Sequence, residues 1–279
     1  MSTKQKKISI LGGGNIGSAI AAGLVNSNLY SPSEIIITRR NHDLLKSFLE
    51  KGFHTVASNA QAVSETEIII VAVTPQQLND LLFEIKDSID EKKHTLISVV
   101  SGATIKQITE QIGNNVPVIR AMPNTAIAIR ESMTCISANA KDHDKLETAK
   151  NIFDTLGKSL VIEESLMVPA TALCACGIAF FLRAVRAASQ GGIEIGFHAN
   201  DALLMASQTA KGAASLLLEI GDHPENEVDK VTTPRGCTIS GLNQMEHSGF
   251  SSAMIKGITT SAEKAALLYS TATSKIHNR

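Results

Sequence analysis

The chain has 279 residues, 26 Lys and Arg against 27 Asp and Glu for a formal net charge of −1, and 43% hydrophobic residues. So even a balance gives no global electrostatic drive toward nucleic acid or an anionic membrane, and the length suffices for one large or two modest cores. No apolar run is expected to cross a bilayer, because the longest, around 168–188, is interrupted by Arg183 and Arg186. The polar start, Met1 to Lys7, precedes an apolar stretch too short for a secretory signal, so the chain reads as cytoplasmic.

The first element is a strand over 8–11. It runs into Gly12-Gly13-Gly14-Asn15-Ile16-Gly17 and a helix over 16–26 rich in small residues. A strand, a tight glycine turn and a helix start form the unit that holds a dinucleotide. Gly12 permits the turn, Gly14 lets backbone approach a pyrophosphate, and Gly17 lets the helix pack on the sheet. The phosphates would sit on unpaired N–H groups at the positive end of that helix. The next strand, 35–38, ends in Arg39-Arg40, where a carboxylate would suit the ribose 2′-hydroxyl of NAD(H) and arginines suit a 2′-phosphate. The expected cofactor is therefore NADP(H) before NAD(H), with a solvated arginine pair as the alternative reading.

Further strands are expected at 68–73, 95–100, 116–121, 133–137 and 159–162. Helices are expected between them at 43–51, 60–64, 75–85, 105–112 and 142–155. Continuous β-branched runs such as Ile68-Ile69-Ile70-Val71 suit parallel strands buried on both faces, and the alternation argues for a parallel sheet with right-handed crossovers. From about 163 the strand signals vanish. Ala-, Leu- and Gly-rich helices follow at 167–196, 200–220, 238–247 and 251–275. The expected architecture is α/β, a Rossmann-like parallel-sheet domain over 1–162 followed by an all-α domain over 163–279. So apolar a helical part is expected to bury surface against a second copy.

The four cysteines, Cys135, Cys174, Cys176 and Cys237, match no zinc spacing, and no metal is expected. Cys174 and Cys176, two apart on a helix, should point away from each other as small core thiols. His198, His223 and His247 fall at helix ends or turns and carry no expected role.

Three later segments, Val71-Ala72-Val73-Thr74-Pro75, Arg120-Ala121-Met122-Pro123-Asn124 and the stretch from Asp229 to Leu242, follow the glycine loop in order. Together they resemble pyrroline-5-carboxylate reductase over about 7–266. The resemblance implies a Rossmann-like domain and an all-helical dimerisation domain, assembled as a homodimer or a ring of dimers. The reaction implied is reduction of the imino acid L-1-pyrroline-5-carboxylate to L-proline with NAD(P)H. It places cofactor contacts at Leu11, Gly12, Gly14, Asn15, Ile16, Gly17, Thr38, Arg39, Arg40, Asn59, Val73, Thr74, Pro75, Met122 and Asn124. Substrate contacts fall on Glu164, Gly236, Cys237 and Thr238, with Thr238 as the catalytic candidate. On the residues alone, Pro234 ends extended chain, Gly236 gives backbone freedom and Thr238 begins a helix. The N–H groups there suit a carboxylate, and the threonine can equally be a plain helix cap.

This chain departs from the family pattern at Arg235 (usually glycine), Cys237 (usually a hydroxyl residue), Thr74 (usually lysine) and Ala175 to Ala179 (usually Gly-Ser-Gly-Pro-Ala). A protonated imine is already electrophilic, so the chemistry needs positioning more than a strong acid. Two other readings stand beside it. A β-hydroxyacid dehydrogenase would need a catalytic lysine, for which Lys211 is the interior candidate. A non-catalytic NADP(H) sensor would draw its support from the departures.

Overall fold

A computed structural model describes residues 7–267. The described chain divides into two compact units. One reaches to Cys176 and takes in the segment from Ser261; the other is Gly177–Thr260.

The first unit is built on eight strands: β1 Ile8–Leu11, β2 Ile35–Thr38, β3 His54–Thr55, β4 Ile68–Val71, β5 Thr95–Ser98, β6 Val118–Met122, β7 Ser132–Ala138 and β8 Gly157–Val161. Their order is β3-β2-β1-β4-β5-β6-β7-β8. The register aligns Leu11 with Thr38 on one side and with Val71 on the other. The carboxyl ends of β1, β2 and β4 therefore finish level, at the point where the chain turns from one side of β1 to the other. That is the crevice where open parallel sheets bind ligands.

Both faces of the sheet are covered, which is why its central strands are so rich in Ile, with β4 an unbroken run of Ile and Val. Strand pleating sends Ile8, Ile10, Ile35, Ile37, Ile68 and Ile70 into one core. It sends Leu11, Ile36, Ile69 and Val71 into the other. Each such side chain contributes about 1.5–3 kcal/mol by leaving water. Around the sheet lie α1 Asn15–Asn26, α2 Lys46–Glu50, α3 Asn59–Ser64, α4 Pro75–Ile85, α5 Ile105–Ile112 and α6 His143–Asp154. α4 starts where it does because Thr74 and Gln77 form a capping box with Pro75 at the first helical position.

The sheet departs from the all-parallel expectation in one pair. β6 and β7 run antiparallel, because the connection between them holds only a short turn, Thr125–Ile129, and a parallel crossover needs a dozen residues or more. β3, of two residues, is too short to leave a periodic signal. The expected helix at 43–51 is a 3-10 turn, His42–Leu45, followed by α2.

The long helix expected at 167–196 is interrupted. α7 Met167–Ala170 leads into a π-helical turn, Thr171–Cys176, and then α8 Gly177–Glu194. The run Glu164–Glu194 is, by length and composition, apolar enough to cross a membrane, with a mean hydropathy of 2.0 over its most apolar window. This corrects the expectation of no such run: Arg183 and Arg186 interrupt it too late to lower that window.

In the second unit α8 packs on α9 Ala199–Ile220 at small residues, since a Cβ on Gly192 would lie 3.0 Å from that of Ala202. α10 Pro224–Lys230 was not expected. It is charged with no apolar stripe, and the His223 side chain caps it by accepting from the Glu225 N–H. α11 Cys237–His247 and α12 Phe250–Ala266 follow, and positions 268–275 of the expected last helix lie outside the described residues. Phe181, Leu182, Ile195, Leu204 and Leu218 stand exposed on this unit.

Candidate functional site

A cavity of about 750 Å³ opens at the level carboxyl ends of β1, β2 and β4. Of the expected contacts, Gly12, Gly14, Thr38, Arg39, Arg40, Asn59, Val73 and Thr74 line it together. The glycine loop is held by Gly12 and Gly13, whose N–H groups both donate to the Thr38 carbonyl at 3.2 and 2.8 Å. Gly12 sits at φ +115, and a Cβ there would strike the Ala72 carbonyl. A Cβ on Gly17 would strike the Gly12 carbonyl, so this glycine keeps α1 tight against the loop. Gly14 is unlike both, because nothing lies within 4 Å of its Cβ position and its φ is −81. It is the cap residue of α1 and no side chain caps that helix end, which leaves donors and the positive end of the dipole for an anion. A cradle with protein behind two glycines and open space before the third fits a dinucleotide pyrophosphate.

The two arginines do different work. Arg39 Nη1 donates to the Gly13 carbonyl at 2.8 Å and so braces the loop from behind. The Arg40 guanidinium instead lies against the side-chain amide of Gln77 on α4, at the cavity wall. Thr38 Oγ1 donates to Asn59 Oδ1 at 2.5 Å, while Asn59 N and Nδ2 donate to the two oxygens of Glu84 at 3.0 and 2.7 Å. The sequence reading missed Gln77, Asp80 and Glu84. They lie three and four apart on the polar side of α4, opposite buried Leu78, Leu81, Leu82 and Ile85, a spacing that could have pointed to them.

The remaining expected residues of this unit lie off that lining. Leu11 is fully buried and offers only backbone, Ile16 packs on the core, and Asn15 and Pro75 open α1 and α4. Met122 and Asn124 are buried at the end of β6. Asn124 Oδ1 accepts from Ala126 N–H, and its Nδ2 donates to the Cys174 carbonyl at 3.3 Å. Glu164 Oε1 lies 3.3 Å from Nη1 of buried Arg120 and accepts the N–H of Ile105, the first residue of α5, at 2.6 Å. Burial lowers the Arg120 pKa and the Glu164 carboxylate opposes that shift. The other guanidinium nitrogen, Nη2, is buried without a partner among the described residues.

The late loop belongs to the second unit. Its left-handed residue is Arg235, at φ +60, rather than Gly236 at φ −73. This explains why glycine suits position 235 and corrects the reading of Gly236 as a source of freedom. Gly236 is needed for close approach, since its N–H donates to the Thr233 carbonyl at 2.9 Å and a Cβ would lie 2.5 Å from Thr233 Oγ1. Gly236 is also the cap of α11, so Thr238 is the second helical residue and not the cap. Exposed Cys237 precedes it.

Lys211 is exposed on α9, unlike a buried catalytic lysine. Cys174 is only partly covered and packs at the edge of a core cluster, with its Sγ 3.8 Å from Cys135 Sγ. Among the described residues no group of His, Cys, Asp and Glu could hold a metal.

Comparison with known proteins accounts for both units. Residues 164–268 match the family model described as pyrroline-5-carboxylate reductase dimerisation, and residues 7–102 match the one described as NADP oxidoreductase, coenzyme F420-dependent. The chain is 57% identical over 275 residues to pyrroline-5-carboxylate reductase 1 of Dictyostelium discoideum, covering 94% of this chain and 50% of that protein, so it spans half the length of that relative. It is 48% identical to pyrroline-5-carboxylate reductase 2 of the same organism, covering 93% of this chain and 92% of that protein. The solved structure of a pyrroline-5-carboxylate reductase from Coxiella burnetii superposes with a TM-score of 0.87 at 29% identity, covering 95% of this chain and 99% of that one. The apolar run Glu164–Glu194 lies within the dimerisation match.

Proposed function

The chain belongs to the pyrroline-5-carboxylate reductase family, and from that premise we propose that it reduces L-1-pyrroline-5-carboxylate to L-proline, the closing step of proline biosynthesis, with NADPH as the preferred reductant and NADH as a second. The observation that carries the reading is the cavity itself, where a glycine cradle and an arginine not committed to the loop share one wall. Bound there, the cofactor would supply the hydride that reduces the C=N bond. The chain's own part is to bind and orient. Gly12, Gly14 and the start of α1 would hold the pyrophosphate, and Thr38 and Asn59 the adenosine ribose. Val73, Thr74 and Pro75 would lie along the dinucleotide, with Met122 and Asn124 at its reactive end.

For the substrate we propose that the helix start capped by Gly236 holds the carboxylate through the N–H groups of Cys237 and Thr238, and that the Thr238 hydroxyl carries the proton at the imine nitrogen. Among the described residues that hydroxyl has no partner within the chain to compete for it. The family resemblance adds Glu164 to the proposed substrate contacts. The domain division at 162/163, cytoplasmic location and assembly into a homodimer or a ring of dimers belong to the same proposal. It draws support from the end of the sheet at Val161 and from the dimerisation match.

The direct test is NADPH oxidation followed by absorbance with and without the imine. Turnover that requires the imine supports the reductase, binding without turnover points to a sensor, and oxidation of a hydroxyacid that depends on Lys211 points to the dehydrogenase. Three variants sharpen it. Arg40→Ala should raise the KM for NADPH about tenfold and leave NADH nearly unchanged, the scale of a lost hydrogen bond to a charged group. Arg39→Ala should weaken both cofactors together, since its contact is to the loop. Equal effects of Arg40→Ala on the two cofactors would remove Arg40 from the 2′-phosphate. Thr238→Ala should lower kcat by about 10²-fold, in the range of a positioned proton donor, with KM little changed. Full retention of kcat/KM would remove Thr238 from the chemistry.

A further inference from the structure

Cys135 lies in the middle of β7 and Cys174 in the π-helical turn, 39 residues further along the chain. The fold brings their Sγ atoms to 3.8 Å, van der Waals contact. Cys135 is buried in an apolar cluster with Met122, Met167 and Ala170, whereas Cys174 is only partly covered and packs at its edge. Cys174 is thus the less covered of the two residues, with Cys135 held in the core beside it. We propose that Cys135 and Cys174 are a redox-active dithiol, a modification site at which hydrogen peroxide forms an intramolecular disulfide.

The asymmetry of the pair supports the assignment of roles. The contact with Cys135 holds the Cys174 thiol down to about 7, and the same contact together with burial raises that of Cys135. The Cys174 thiolate attacks a peroxide oxygen, the O–O bond breaks, and hydroxide leaves and takes a proton, so sulfur is oxidised to the sulfenic acid as peroxide is reduced to water. Cys135 then gives up its proton and attacks the sulfenyl sulfur, the S–O bond breaks, and the hydroxyl leaves as a second water. The sum is two thiols and one peroxide giving one disulfide and two waters. The bond requires the sulfurs to close to about 2.05 Å, within reach of side-chain rotation in a turn that is already irregular. Asn124 Nδ2 is bonded to the carbonyl of Cys174 and Met122 packs in the same cluster, so the bond would form directly behind the end of β6.

The test uses the native full-length chain, reduced, treated with increasing hydrogen peroxide, quenched with acid, alkylated and mapped by mass spectrometry. The expected product is one Cys135–Cys174 cross-linked peptide pair lacking two hydrogens, formed before other cysteines react and reversed by dithiothreitol. Cys135→Ser should then leave a Cys174 sulfenic acid that a dimedone probe captures, and Cys174→Ser should abolish the early reaction. Oxidation confined to exposed Cys237, a disulfide between two chains, or Cys174 passing to sulfinic acid without a cross-link would each overturn the proposal. The mapping of the native chain does not depend on the variants folding.

Discussion

Gly14→Ala is expected to leave the thermal midpoint within about 2 °C of the parent and to weaken NADPH binding at least about tenfold, near 1.4 kcal/mol. The argument rests on what a methyl group would meet. At Gly14 it would meet no protein atom within 4 Å, and the backbone φ of −81 is open to any residue. The added carbon therefore occupies only the space a pyrophosphate needs. Gly12→Ala is the contrasting variant, because its Cβ would collide with the Ala72 carbonyl at a φ of +115 that alanine avoids. It should lose stability and binding together. Thermal unfolding beside a fluorescence titration with NADPH separates the two cases. A Gly14→Ala protein that binds with parental affinity would show that the pyrophosphate does not lie over this residue.

Glu164→Ala should destabilise the chain by about 2–3 kcal/mol, below the ~3–5 kcal/mol typical of a fully buried pair because the Glu164 side chain is 31% exposed. The loss has two sources. Arg120, whose side chain is only 3% exposed, is left with no counter-charge, and the Ile105 N–H at the start of α5 loses its acceptor. A fall in Tm of roughly 3–5 °C follows for a chain of this size. Arg120→Met should cost less, since it leaves behind a carboxylate that water can still reach. Glu164→Gln should fall between, keeping an acceptor without the charge. If Arg120→Met proved the most damaging of the three, the buried cation would not be the source of the effect. Because Glu164 is also proposed beside the substrate, kcat/KM of Glu164→Gln measured well below its Tm separates the two roles.

Much of the first unit was legible because its signals are local. Ile35 to Ile37 and Ile68 to Val71 are apolar at every position and Ile8 to Leu11 at all but Ser9, the mark of strands covered on both faces. α4 and α5 begin at their capping boxes and α5 ends at Gly113, and the glycine loop marks the turn between β1 and α1. The antiparallel β6–β7 pair was not legible, since strand direction depends on how the chain between strands returns. The interruption at Thr171–Cys176 was missed because its residues are as helical in type as their neighbours.

The site divides in the same way. Gly12, Gly14, Arg39 and Arg40 could be picked out by residue type and spacing. The sequence alone does not say that Arg39 braces the Gly13 carbonyl while Arg40 faces the cavity. Glu84 meets Asn59 across 25 residues, and Glu164 meets Ile105 across 59. Those pairings follow from the packing of α3 beside α4 and from the return of the chain past α5. By itself the sequence determined the cofactor class and the family, because both are written in short motifs whose backbone demands are met locally. Tertiary structure decided which residues of each motif line the cavity, which brace the protein, and which two cysteines meet. These depend on distances between segments far apart in the chain, and such distances exist only once both faces of the sheet are covered.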